Sequence, residues 1–179
     1  MPEPPLDALR LSELYDHSVA HRKGHGSQCR VYPSPQAPVW SAIAAAVGAK
    51  RVLEVGCGIG YQAACIALAA PGCWVETIEN DDSHVELADE VFVRLGLADR
   101  VNVLRGDAEV ILPELESTYD LVVEDAGIIY HRWLPVLARL TRPGGVLIVG
   151  NLSDRGRGLE RHLPSHAVTV IRPRPEANE

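Results

Sequence analysis

No stretch of the sequence approaches about 18 uninterrupted apolar residues, which excludes a membrane-spanning helix. The amino terminus, Met-Pro-Glu-Pro-Pro, lacks a basic segment followed by an apolar run, so a secretory signal is not expected. Positive charge is scarce. Lys and Arg number 17 against 24 Asp and Glu, a formal net charge of -7, and only Lys23 and Lys50 are lysines. Such a surface does not attract phosphate backbones broadly, which makes nucleic acid a poor partner. The four cysteines, Cys29, Cys57, Cys65 and Cys73, contain no C-x-x-C pair and miss the spacing of a zinc site. They read as reduced, mostly buried thiols of a cytoplasmic protein, and no metal ligand set is expected.

What the sequence does contain is the composition of an ordinary globular domain, 46% hydrophobic and 23% charged over 179 residues. The expectation is one domain over 1–179, divided into an amino-terminal segment or lid (1–36), a core (37–151) and a carboxyl-terminal segment (152–179). From Arg51 onward, short β-branched apolar runs alternate with longer segments of helical period, the pattern of a doubly wound α/β fold. Strands are expected near 51–55, 74–79, 101–105, 120–125 and 145–150, and helices near 60–70, 82–95, 107–115 and 131–140. Gly72 and Gly96 end the first two helices, and Arg142-Pro143-Gly144-Gly145 reads as a turn into the fifth strand. An earlier helix near 37–47 carries an apolar stripe of Trp40, Ile43, Ala44 and Val47. Residues 166–171 alternate like a last strand, inside an Arg-rich end (Arg155, Arg157, Arg161, Arg172, Arg174) whose final residues are expected to be disordered.

The chemistry is carried by Glu54-Val55-Gly56-Cys57-Gly58-Ile59-Gly60, between a strand and a helix. Glycines there let the backbone turn sharply and approach a ligand closely. The spacing is G-x-G-x-G, and Tyr61 occupies the place of the third glycine in a dinucleotide fingerprint, which disfavours a nicotinamide cofactor. Glu79 ends the second strand, where a carboxylate can accept hydrogen bonds from both hydroxyls of an adenosine ribose, and Asp107 follows the third strand within reach of an adenine amino group.

With three ligand-facing elements at successive strand ends, the stretch from Tyr32 to Asn151 resembles the class I S-adenosylmethionine (SAM)-dependent methyltransferases. Gly60-Tyr61, the run Gly96 to Val101 and Gly106-Asp107-Ala108 look most like the catechol or caffeoyl-CoA type of O-methyltransferase. The resemblance implies a Rossmann-like, mostly parallel sheet with short amino-terminal helices and a truncated carboxyl-terminal end. It implies SAM as cofactor and a small-molecule methyl acceptor as partner. Glu54, Gly56, Gly58, Gly60 and Gln62 would line the methionine side of SAM, Tyr32 would contribute through its backbone, and Glu79, Asp107 and Ala108 would face the adenosine.

Metal-dependent members of that family hold magnesium with an Asp after the fourth strand and an Asp-Asn pair after the fifth. Asp125 and Asn151 match, but Gly150 stands at the middle position and Ile128 replaces the family's catalytic lysine. The expectation is therefore metal-independent transfer, with Asp125 near the reacting methyl and Tyr130 or His131 accepting the proton. His17, His21 and His25 recur every four residues, but Gly24 interrupts the helical pattern and no fourth ligand is evident, so they read as a solvated face or substrate lid. Two alternatives stay open: a SAM-binding module without catalysis, or a methyltransferase acting on RNA or protein. A homo-oligomer is compatible with the sequence.

Overall fold

The computed structural model describes residues 6–26, 29–126, 130–152 and 167–171. Where apolar β-branched residues run together the chain forms strands β1 (Arg51–Val55), β2 (Trp74–Glu79), β3 (Val101–Arg105), β4 (Tyr119–Glu124), β5 (Thr141–Leu152) and β6 (Ala167–Ile171). Helices α1 (Leu6–Gly24), α2 (Ala37–Ala46), α3 (Tyr61–Ala69), α4 (Asp82–Arg94), α5 (Ala108–Glu114) and α6 (Tyr130–Leu140) surround them. The sheet order is β3-β2-β1-β4-β5-β6, parallel through β5, with β6 antiparallel at the edge. Residues 52–55 and 121–124 of the two central strands are all buried, as expected of strands covered on both faces. Strand order reverses between β1 and β4, and this switch opens a crevice at the carboxyl ends of the strands.

Three expectations change. In place of short amino-terminal helices, Leu6–Gly24 form one helix of 19 residues. Docking holds it: Leu14 is buried in the core and Tyr15 meets Tyr61 edge to face with ring centres 5.3 Å apart. The buried stripe of α2 is Ala37, Trp40, Ser41 and Ala44, whereas Val47 follows the helix and is exposed.

The third change is that Arg142 to Gly145 lie within β5 as an irregularity, because pairing passes from Tyr119↔Thr141 to Leu121↔Val146. Asp120 anchors this end of the sheet. Its carboxylate accepts the Lys50 and Arg51 amides at 2.7 and 2.8 Å and also binds the Arg142 guanidinium. The expected last strand is β6; the rest of the Arg-rich end lies outside the described residues. Among the described residues, no helix is long and apolar enough to cross a membrane.

Candidate active site

The glycine loop leaves β1 and enters α3. The Gly56 and Cys57 amides donate to the Ile78 carbonyl at 3.0 and 3.1 Å, so the loop begins by leaning on β2. Gly56 has φ +100°, and a Cβ there would stand 3.0 Å from the Ala126 nitrogen. Gly60 has φ +90°, and its Cβ would stand 2.9 Å from Cζ of buried Phe92. At these two positions the missing Cβ makes room for the protein itself. At Gly56 the space is taken by the chain leaving β4, and at Gly60 by α4. At Gly58 an added Cβ would meet only Val31, at an ordinary 3.5 Å.

Glu79 holds the loop from the end of β2. One carboxylate oxygen accepts the Gly58 amide at 2.7 Å, and the other accepts the Asn80 and Asp81 amides at 3.0 Å each. Asp81 caps α4 by accepting the Ser83 and His84 amides. Asp107 similarly caps α5, accepting the Glu109 amide at 2.8 Å. It is exposed at the end of β3, next to buried Ala108. A capping carboxylate keeps acceptor capacity on its second oxygen, so this role does not exclude a ligand.

Glu54 is buried on β1 and receives a short hydrogen bond from the Thr77 hydroxyl. Its other oxygen, and both amide heteroatoms of buried Gln62, have no partner of hydrogen-bonding geometry. Burial pushes the Glu54 carboxyl up to about 8 and the Asp125 and Glu79 charges add to this, while Thr77 and the nearby Gln62 amide oppose it. The folded state therefore holds this proton more tightly than the unfolded chain does. The associated stability is present below the ordinary glutamate range and is lost as pH rises through about 8. In ligand-free protein, Glu54→Gln should raise the melting temperature relative to wild type at pH 9 but not at pH 4. An equal difference at both pH values would contradict this.

Asp125 follows β4, its amide bound to the Val55 carbonyl at 2.9 Å. A Cβ at Gly150 would stand 2.8 Å from Asp125 Oδ1 and 3.3 Å from the Trp40 ring. Glycine offers no side-chain ligand where the family's middle metal ligand would stand, and a Cβ there would crowd the end of the Asp125 carboxylate. The side chains of Tyr130, His131 and Asn151, and residue Ile128, lie outside what the structure describes. Tyr32 is exposed, with the Arg22 guanidinium 3.4 Å over its ring centre, and its neighbour Val31 packs against the loop at Ile59.

The four cysteines are free and buried. Burial pushes the Cys57 thiol far up and Cys65 to about 12, so neither is a nucleophile. Sequence reasoning missed Thr77, the partner of Glu54 on the facing strand. It also missed Phe92, which sits under Gly60, and its signal was only the apolar period of α4.

The O-methyltransferase family model matches residues 9–172. The chain belongs to this family. It is 38% identical over 136 residues to a catechol O-methyltransferase of Mycobacterium tuberculosis, covering 73% of this chain and 60% of that protein. It is 31% identical over 133 residues to a catechol O-methyltransferase of Niastella koreensis, covering 69% and 59%. The chain therefore spans about 60% of the length of these curated relatives. Among solved structures, the Streptomyces achromogenes O-methyltransferase TomG, involved in tomaymycin synthesis and solved in complex with SAM, superposes with a TM-score of 0.70 at 29% identity. That match covers 84% of this chain and 67% of TomG.

Proposed function

We propose that this protein binds SAM across the carboxyl ends of β1, β2 and β3 and transfers its methyl group to an oxygen of a small molecule. The observation that carries this reading is the set of buried, unpartnered polar atoms on Glu54 and Gln62 beside the Glu79-anchored loop. Such atoms are costly unless a ligand satisfies them. They suit the ammonium and carboxylate of the methionine end, lined by Glu54, Gly56, Gly58, Gly60 and Gln62. Glu79 receives the ribose hydroxyls, Asp107 and Ala108 face the adenine, and Tyr32 contributes its backbone. When bound, the cofactor supplies a sulfonium-activated methyl group.

Displacement at that methyl is in line, so the protein's main task is to hold the acceptor oxygen against it. On this reading Asp125, which follows β4, lies near the reacting methyl, and Tyr130 or His131 of α6 accepts the proton. A cytoplasmic location fits the four free thiols.

The test is formation of S-adenosylhomocysteine by the purified chain over a panel of phenols and catechols, followed by mass spectrometry. Turnover with at least one acceptor is expected. Failure of the folded protein to bind either SAM or S-adenosylhomocysteine would overturn the assignment. With glycine instead of a carboxylate at position 150, the rate is expected to be the same with and without added magnesium. A rate that rises severalfold with magnesium would show that substrate oxygens complete a metal site there.

A further inference from the structure

The periodic histidines of α1 divide in the fold. His17 stays outside, while His21 and His25 meet Cys29 and His84, the latter from the first turn of α4, 59 residues beyond His25. The fourth partner that seemed missing comes from a distant segment, while α1 ends at Gly24 as the sequence suggested, with His25 just beyond it. One ligand atom from each of the four residues lies within 4.8 Å of the other three.

We propose that His21, His25, Cys29 and His84 form a tetrahedral zinc site that clamps the end of α1 and the following segment to α4. A zinc ion with Zn–N of about 2.0–2.1 Å and Zn–S of about 2.3 Å sets N···N edges of about 3.4 Å and N···S edges of about 3.6 Å. His84 Nε2 stands 3.4 Å from His25 Nδ1 and 3.8 Å from Cys29 Sγ. The three imidazole ring centres lie 4.7, 5.2 and 5.3 Å apart. Hydrogen bonding within the cluster does not satisfy it. His84 Nε2 serves two neighbours, and His21 Nε2 is buried with no partner.

Three imidazoles and a thiolate suit zinc among divalent ions, and four protein ligands make a closed, structural site rather than a catalytic one. The Glu79 carboxylate stands 3.7 Å from His84 Nδ1, so an acidic group lies beside the ring nitrogen that faces away from the cluster. His84 and Cys29 are buried, and exposed His25 gives the ion its way in. The site would fix Cys29 and hence Val31, which packs on the glycine loop. It stands independently of the methyl-transfer reading, because its ligands lie outside the residues assigned to SAM.

The experiment uses the full chain without an affinity tag. About one zinc per chain is expected after purification or after titration of stripped protein. Cobalt substitution should give the intense d–d bands of a tetrahedral ion and a thiolate-to-cobalt charge-transfer band. Cys29→Ser should abolish that band, and both Cys29→Ser and His25→Ala should weaken zinc binding more than about 100-fold, beyond what losing a group that only orients a ligand costs. His25 is exposed, so His25→Ala decides the matter if Cys29→Ser fails to fold. Absence of zinc uptake at micromolar concentration, an octahedral cobalt spectrum, or unchanged affinity in folded His25→Ala would overturn the site.

Discussion

Replacing Glu79 by alanine is expected to weaken binding of S-adenosylhomocysteine about 100-fold, close to 3 kcal/mol at 1.4 kcal/mol per decade. Two losses combine. The carboxylate proposed to receive the ribose hydroxyls is gone, and charge-assisted bonds of that kind are worth about 1.5–3 kcal/mol. The Gly58, Asn80 and Asp81 amides also lose the acceptor that holds the loop and the start of α4 in place. Glu79→Gln keeps one carbonyl oxygen for those amides and should fall between wild type and alanine. Calorimetric titration of folded protein provides the check, and a change below threefold for Glu79→Ala would remove Glu79 from the cofactor site.

The largest expected effect on stability is at Gly60. Alanine there must adopt φ near +90° and place its Cβ 2.9 Å from the Phe92 ring. Left-handed backbone costs an L-residue about 1–2 kcal/mol, and overpacking a filled core costs about 1–3 kcal/mol. A loss of about 3 kcal/mol should lower the melting temperature by roughly 10 °C in a domain of this size. Gly58→Ala is the internal control. Its Cβ meets Val31 at 3.5 Å, so only the backbone penalty applies and the drop should be under half as large. Trimming the ring with Phe92→Leu in the Gly60→Ala background should recover part of the loss. If Gly60→Ala matched Gly58→Ala, the contact with α4 would not be what requires glycine at position 60.

The loop, its two flanking elements and the carboxylates at the ends of β2 and β3 were legible because their signals are local. A β-branched run such as Val101-Asn102-Val103-Leu104, a glycine after a strand and an aspartate before a helix each act over a few residues, through backbone geometry and capping. Glu54 could be named from its place before the loop, but not its raised pKa. That depends on burial between neighbouring strands and on Asp125 and Glu79.

The sequence by itself determined the alternation of strands and helices, the positions of Glu54, Gly58, Glu79, Asp107 and Asp125 in or beside the carboxyl ends of the strands, and the departure at Gly150 from the family's metal ligands. Only the tertiary structure decided what the glycines at 56, 60 and 150 make room for, since the atoms a Cβ would meet there belong to residues 28 or more positions away or to a neighbouring strand. It alone joined His21, His25 and Cys29 to His84. Those side chains come from the end of α1, the segment after it and α4, and no spacing rule reports which segments a sheet will bring together. Local signals fix elements through short-range sterics, whereas ligand sets and steric limits arise where separate elements pack, and that packing follows from how the whole chain buries its apolar faces.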